Sequence, residues 1–195
     1  MKTYIQIGTN DGNDEFKKRI EQLKNKSNVY LIEPNSDLIS KIEENYKSLK
    51  EIHNVFILNV GIVSHKGINE LYTDLNYSGF SSVINRKSHN LSSKIQFTPL
   101  TFQELCDTNN ISNIELLYID TEGYDYTILN SIDFKTVNIK KIICELWPYD
   151  IDSDDNILTG PTFFNNVIKL KMENNNYQIN LIKIENMDSY DFTKI

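Results

Sequence analysis

The sequence predicts an α/β domain with a mostly parallel central sheet. Three short apolar segments, at residues 4–7, 29–32 and 55–58, alternate with segments whose apolar residues recur at helical spacing. This alternation of strand and helix is typical of a parallel sheet with helices on its faces. Because 195 residues suit one buried core, we expect a single domain that spans residues 1–195.

The first half of the chain predicts three neighbouring strands. Asp14 can cap the helix between the first and second strands, and Asn35 or Ser36 can cap the helix between the second and third. Right-handed crossovers then place these strands side by side. Ligands of such sheets bind beyond the carboxyl ends of the strands. The residues that follow each strand are therefore the first candidates for a site.

The second half of the chain is less regular. Thr101 can cap a helix, and other elements are expected as strands at 69–73, 95–98, 114–119 and 141–144 and as helices at 124–130 and 163–172. Residues 74–93 show no clear period and predict a long loop of the kind that forms lids or binding surfaces. The C-terminus predicts an antiparallel hairpin in which 177–184 pairs with 190–193 across an Asn186-Met187-Asp188 turn.

Composition argues against several classes of protein. The net charge is −7, and only Arg19 and Arg86 supply guanidinium groups, so an extended nucleic-acid surface is not expected. The sequence contains no run of about 18 apolar residues, so we expect no membrane-spanning helix. The N-terminus enters the first strand without a signal-peptide pattern, so we expect a cytoplasmic protein. Cys106 and Cys144 are expected as buried, reduced thiols.

The pattern of metal-ligating residues is weak. The three histidines have no i, i+4 pairing and the two cysteines do not cluster, so the sequence predicts no metal site. No pattern fixes an oligomeric state.

Residues after the first two strands predict an adenosine-type cofactor. Gly8-Thr9-Asn10-Asp11-Gly12 permits a tight turn and close approach of the backbone to a ligand. Glu33 comes 21 residues after Gly12 (33 − 12), an offset at which a carboxylate accepts hydrogen bonds from ribose hydroxyls. Relative to the dinucleotide fingerprint, Asn10 replaces the middle glycine and Asp11 adds charge where a pyrophosphate would lie. These features favour S-adenosyl-L-methionine, which carries no phosphate, over NAD.

Carboxylates also follow the later core strands. Asp120 and Glu122 stand two residues apart where a strand stops, so they point the same way if strand geometry persists. They can orient a cation, accept a proton or cap the next helix. Glu145 ends the strand before Trp147, which predicts either a polar contact beside an apolar wall or a surface carboxylate next to a packed tryptophan. His65 follows the third strand and is either a pocket residue or, more often, a surface turn residue.

Five segments resemble the FkbM-type family of S-adenosylmethionine-dependent methyltransferases. The most specific one is Tyr118-Ile119-Asp120-Thr121-Glu122-Gly123, preceded by Thr98-Pro99-Leu100-Thr101-Phe102. The others are Ile5-Gln6-Ile7-Gly8-Thr9-Asn10-Asp11-Gly12, Leu31-Ile32-Glu33-Pro34, Asn59-Val60-Gly61-Ile62 and Gly79-Phe80-Ser81-Ser82. The spacing of these segments matches over nearly the whole chain.

The resemblance implies a Rossmann-like class I methyltransferase fold, with a mostly parallel sheet and an antiparallel C-terminal strand. It implies that Gly8, Asn10 and Gly12 line the methionine side of the cofactor and that Glu33, followed by Pro34, holds the ribose. The segment Asn59-Val60-Gly61 would approach the adenine, and Asp120 would lie beside cofactor and acceptor. The family commonly has an acidic residue where this chain has Gln6, and Asp11 or Asp120 are expected to compensate for the missing charge.

The leading functional hypothesis is methyl transfer to a hydroxyl oxygen of a sugar, glycoconjugate or small metabolite, so the expected partner is a small-molecule or glycan acceptor. Asp120 is the first choice for the general base and His65 the second, while Glu122 and Glu145 orient the acceptor. A divalent cation can replace the base. Two alternatives stay open from the sequence: a cofactor-binding or interaction module with little or no turnover, and a nucleotide-dependent oxidoreductase, against which the missing middle glycine argues.

Overall fold

The computed structural model describes residues 1–73, 81–84, 93–145, 160–184 and 187–195. The predicted loop at 74–93 falls mostly outside these residues, as do the Gly79-Phe80 part of the family motif and Trp147. The strands are β1 (Thr3–Ile7), β2 (Asn28–Ile32), β3 (Asn54–Leu58), β4 (Gly61–Ile62), β5 (Glu70–Thr73), β6 (Ser93–Gln96), β7 (Pro99–Leu100), β8 (Asn113–Ile114), β9 (Leu116–Ile119), β10 (Asn138–Ile139), β11 (Lys141–Glu145), β12 (Tyr177–Ile184) and β13 (Met187–Lys194).

Helices connect these strands, and three of them begin directly after the predicted capping residues. Asp14, Asn35 and Thr101 each accept a backbone hydrogen bond at a helix start, and Thr101 forms a capping box with Glu104. The helices are α1 (Glu15–Glu21), α2 (Ser36–Asn45), α3 (Phe102–Thr108), α4 (Asp125–Ser131), α5 (Gly160–Phe163) and α6 (Lys169–Asn174). A π-helical turn (Phe164–Ile168) joins α5 to α6, and a 3-10 turn (Leu49–Glu51) precedes β3.

The central sheet has seven strands in the order β12-β13-β11-β9-β1-β2-β3. Strand β1 pairs in parallel with β2 on one side and with β9 on the other, and β9 continues in parallel to β11. Strand β13 is antiparallel to both β11 and β12. This confirms the predicted α/β class, the side-by-side first three strands and the antiparallel C-terminal strand.

Alternating side chains of β1 supply the cores on both faces of the sheet. Ile5 and Ile7 pack in the larger apolar cluster, which includes residues of α3 and α4, whereas Tyr4 packs with Phe16 and Ile20 of α1. Both faces are covered by helices, which explains why the strand reads as nearly continuous apolar sequence. The carboxyl end of β1 is thereby fixed at the middle of the sheet.

The predicted C-terminal hairpin turn is wrong in one detail. Met187 and Asp188 belong to β13, where they pair with Ile184 and Lys183 of β12. Alternation in this hairpin is interrupted by exposed apolar residues, so periodicity alone placed the strand start too late. The two cysteines are free and buried, as predicted. Within the described parts of the chain, every helix is too short or too polar to cross a membrane.

Strand β9 lies at the centre of the sheet, so truncation of one of its buried side chains is expected to lower the free energy of unfolding strongly. Leu117 is fully buried in β9, so Leu117→Ala is expected to lower the free energy of unfolding by about 2–5 kcal/mol. Leu170→Ala is the matched control because Leu170 is 57% exposed, and its expected effect is below about 0.5 kcal/mol. Urea unfolding followed by circular dichroism measures both, and equal losses would contradict the assigned core.

Candidate functional site

A cavity of about 650 Å³ lies at the carboxyl ends of β1, β2 and β9. Its volume is in the range of about 300–1,000 Å³ that is typical of small-molecule sites. The lining residues are Ile7, Gly8, Thr9, Asn10, Asp11, Asn13, Asp14, Ile32, Glu33, Pro34, Leu38, Gly61, Ile62, Leu71, Ser81, Val83, Asp120, Thr121, Glu122, Tyr124 and Met187.

The lining of this cavity is strongly acidic. Five carboxylates contribute to it, from Asp11, Asp14, Glu33, Asp120 and Glu122. Among the described residues that line it there is no Lys, Arg or His. Concentrated negative charge attracts cationic ligand groups and repels phosphates. The electrostatics therefore favour a ligand with positive charge and without a pyrophosphate.

The loop after β1 approaches the end of β9 very closely. Gly8 has a φ of +81°, and a Cβ at this position would lie 1.8 Å from the carbonyl oxygen of Asp120. Only glycine accommodates this conformation and this approach. Gly8 N and Thr9 N both donate to the carbonyl oxygen of Ile32, which ties the loop to the end of β2. The sequence prediction of a tight glycine turn is thus explained by a backbone contact between two strand ends.

Glu33 at the end of β2 joins the Gly8 loop to the start of α2. Its Oε2 accepts from Asn10 N at 2.8 Å and its Oε1 accepts from Asn35 N at 2.9 Å. Burial raises the pKa of Glu33 to about 7, although these two backbone hydrogen bonds oppose the shift. Each carboxylate oxygen has two acceptor sites. Both oxygens can therefore accept one further hydrogen bond from a ligand hydroxyl.

Asp125, the first residue of α4, holds the turn after β9 through hydrogen bonds. Asp125 is completely buried and accepts from Thr121 Oγ1 and Gly123 N, each at 3.1 Å. Burial raises its pKa to about 7. The turn places Glu122 in the left-handed region, at a φ of +56°, a conformation that needs support from the surroundings.

A second support for this turn comes from the segment 81–84. Ser82 is buried, and its Oγ donates to the carbonyl oxygen of Glu122 at 3.0 Å while accepting from Ile84 N at 3.2 Å. Neighbouring Ser81 and Val83 line the cavity. The described part of this family motif therefore completes one wall of the site.

Three carboxylates meet where β9 and β11 end. Asp120, Glu122 and Glu145 each have a carboxylate oxygen within 4.8 Å of the others. Oxygen ligands of this kind suit Mg²⁺ or Ca²⁺, and close carboxylates also raise one another's proton affinity. The cluster can hold a cation or a proton, although the sequence predicted no metal site. Glu145 reaches this cluster without lining the cavity itself.

Several predicted site residues lie outside the cavity lining. Asn59 supports the site indirectly, because its Nδ2 donates to the carbonyl oxygens of Glu33 and Pro34. Val60 packs against the larger core, and Gly12 lies within the loop without lining the cavity. His65 is exposed, and its Nδ1 accepts from Gly67 N. The structure does not bring His65 to the carboxylates.

Three residues that the sequence interpretation left out also contribute to the site. Asp14 was predicted only as a helix cap, yet it lines the cavity. Asp125 follows the Asp120–Gly123 motif by two residues and begins α4, where an acidic residue is favoured by the helix N-terminus alone, so the sequence contains no separate signal for its role. The Tyr124 hydroxyl lies 2.9 Å from Ser64 Oγ and closes the wall behind the turn. Because the two residues are 60 positions apart, no local pattern reveals that contact.

Solved methyltransferase structures resemble this fold. TrmK from M. capricolum, in complex with S-adenosylhomocysteine, aligns with a TM-score of 0.50 at 14% identity over 99% of this chain. The chain spans 62% of that protein. A methyltransferase from Pyrococcus furiosus aligns with a TM-score of 0.49 at 14% identity, over 99% of this chain and 74% of that one. A proposed RNA methyltransferase from Pyrococcus horikoshii gives 0.47 at 14%, over 100% and 75%.

The first of these alignments supports the predicted class I methyltransferase fold and nothing beyond the fold. A search of curated proteins gives no match. The family model for the methyltransferase FkbM domain matches residues 6–179, which include the Gly8 loop, Glu33, the Asp120–Gly123 turn and Glu145. The chain therefore belongs to the FkbM family of methyltransferases, which use S-adenosylmethionine as methyl donor.

Proposed function

We propose that this protein transfers the methyl group of S-adenosylmethionine to a hydroxyl oxygen of a sugar, a glycoconjugate or a small metabolite. The observation that carries this proposal is the acidic cavity at the strand ends, with five carboxylates and no basic side chain among its described lining residues. The cofactor's sulfonium and ammonium suit this charge. A phosphate-rich acceptor would be repelled by it, which favours an uncharged hydroxyl.

The residues around the cavity fit this cofactor. Both oxygens of Glu33 have acceptor capacity left for the two ribose hydroxyls. Gly8 exposes backbone at the centre of the sheet, and Gly61 lines the side expected for the adenine. The missing pyrophosphate site argues against the alternative of a nucleotide-dependent oxidoreductase.

Side chains at the end of β9 supply the chemistry on the acceptor. When bound, S-adenosylmethionine would supply an electrophilic methyl carbon, with S-adenosylhomocysteine as the leaving group. Asp120 accepts the proton of the acceptor hydroxyl as general base, which typically contributes about 10²–10⁴-fold. Glu122 and Glu145 orient the hydroxyl through their position beside Asp120. A cation held by the same three carboxylates is the alternative way to lower the hydroxyl pKa.

The proposed reaction is tested by transfer of a labelled methyl group. The protein is incubated with methyl-labelled S-adenosylmethionine and separate pools of glycans, hydroxylated metabolites, carboxylic acids and RNA. Base-stable label in the glycan or metabolite pools supports methyl ether formation. Label only in RNA or in base-labile esters contradicts the proposed acceptor. Cofactor binding without transfer to any pool would support the alternative of a binding module.

The assigned role of Glu33 predicts weaker cofactor binding when its carboxylate is removed. Glu33→Ala is expected to cost about 1.5–3 kcal/mol of S-adenosylhomocysteine affinity, because hydrogen bonds to a charged acceptor are lost. Isothermal titration calorimetry measures this change. Glu44→Ala, which removes an exposed carboxylate of α2, is the control. Unchanged affinity in Glu33→Ala would contradict the ribose assignment.

The raised pKa of Glu33 predicts a pH dependence of cofactor binding. The ionised carboxylate accepts from both ribose hydroxyls, so binding favours this form. With a pKa of about 7, affinity for S-adenosylhomocysteine rises with pH towards neutrality and levels off about one unit above the pKa. Below the pKa, affinity falls by up to about tenfold per pH unit. The Glu33→Gln variant separates this effect from the titration of Asp125, and an identical slope in that variant would refute the assignment.

The proposed base predicts a selective loss of turnover. Asp120→Asn is expected to lower kcat about 10²–10⁴-fold with the best acceptor of the screen, because the amide cannot take the proton. Affinity for S-adenosylhomocysteine should change little, and Asp133→Asn at an exposed position should change neither quantity. The same assays with EDTA, and then with added Mg²⁺, distinguish the base from a bound cation. Full activity of Asp120→Asn would place the base elsewhere.

A further inference from the structure

Gln6 and Asp14 form a polar pair beneath the Gly8 loop. Gln6 lies on β1 and is completely buried, and its Nε2 donates to Asp14 Oδ2 at 2.5 Å. The two residues are separated by eight positions, so the pair spans the loop that enters the cofactor site. Asp14 lines the cavity, whereas Gln6 lies behind it. The buried amide therefore holds the carboxylate at the cavity wall.

The same amide leaves an acceptor without a partner. Gln6 Oε1 is buried and makes no hydrogen bond within the described structure. A buried polar atom of this kind costs free energy unless a ligand or water satisfies it. Of the two residues, Asp14 is the one whose acceptor lines the cavity, so a ligand group with N–H donors complements its carboxylate.

We propose that Asp14, held in place by Gln6, binds the α-ammonium group of the cofactor's methionine moiety. This inference rests on the proposed function and deepens it. The ammonium is the cofactor's cationic group that carries N–H donors; the sulfonium has none. Gln6 stands where the family commonly has an acidic residue, and Asp14 supplies the negative charge instead.

The surroundings of the other acidic residues favour Asp14 for this role. Asp11 and Asp120 were the residues expected to compensate for Gln6. Asp11 Oδ1 accepts from Asn13 N within its own turn, and Asp120 shares the carboxylate cluster with Glu122 and Glu145. Asp14, by contrast, accepts a hydrogen bond from the buried amide of Gln6.

Helix capping does not account for the charge at position 14. Asp14 Oδ1 accepts from Lys17 N at 3.1 Å and so caps α1. Asparagine caps helices about as well as aspartate. Asp14→Asn therefore removes the charge while it keeps the cap, and Asp14→Ser is a second uncharged variant that also retains a capping oxygen.

The experiment compares two ligands by calorimetry. One is S-adenosylhomocysteine, and the other is its desamino analogue, in which hydrogen replaces the α-amino group. Wild-type protein is expected to prefer S-adenosylhomocysteine by about 10- to 100-fold, the usual worth of a charged hydrogen bond. In Asp14→Asn and Asp14→Ser this preference should fall to about threefold or less, with little change for the desamino ligand.

A charge swap supplies the rescue. In the double variant Gln6→Glu/Asp14→Asn, the carboxylate returns to the strand and the amide moves to the cap, so net charge and the pairing of the two groups are retained. This variant should regain most of the preference for S-adenosylhomocysteine. Asp107→Asn, at the far end of α3, is the matched control and should behave as wild type. Thermal melts check that each variant is folded.

The outcomes separate this inference from the proposed function. If wild-type protein binds neither ligand, the proposed function fails. If wild type prefers S-adenosylhomocysteine and both Asp14 variants keep that preference, the proposed function stands and the role of Asp14 is overturned. Loss of the preference in Asp11→Asn, with Asp14→Asn unaffected, assigns the ammonium to Asp11 and also overturns it. Equal weakening of both ligands in the Asp14 variants indicates a structural role and also overturns the role of Asp14 in binding the ammonium.

Discussion

The site depends on the contact between the backbones of Gly8 and Asp120. Parallel pairing of β1 with β9 brings these two strand ends together, and the space between them is smaller than a methyl group. Because Gly8 also donates to Ile32 at the end of β2, three strand ends are fixed by backbone geometry. Glu33 and Asp120 then extend from rigid elements, as precise positioning of a ligand requires.

Backbone amides make the acidic cavity tolerable to the fold. Burial opposes the ionisation of Glu33 and Asp125 and raises the pKa of each to about 7. Backbone N–H groups of Asn10, Asn35 and Gly123 partly offset this cost. The same hydrogen bonds set the conformations of the two turns, so charge placement and loop geometry have one cause. A cationic ligand relieves the repulsion that remains.

The sequence located those candidate site residues that directly follow a predicted strand. Apolar runs placed β1, β2 and β9, and the residues just after them include Glu33 and Asp120, both of which line the cavity. Contacts between distant segments had no such signal. The bond between Gln6 and Asp14 crosses a loop, and the cluster of Asp120 with Glu145 needs the register of β9 against β11. His65 comes soon after a strand as the site residues do, but it lies three residues beyond β4, is exposed and accepts a hydrogen bond from Gly67 N, so it belongs to a surface turn.

The residues that line the cavity differ in how much the stability of the sheet depends on them. Gly8 and Glu33, which the proposed function places against the cofactor, also hold the ends of β1 and β2 together. A substitution at either residue is therefore expected to affect folding as well as the cavity. Ser81 and Met187 also line the cavity, and Met187, at the start of β13, is 49% exposed. Under the proposed function, Met187 is therefore a position where a substitution is expected to alter acceptor specificity while the sheet stays intact.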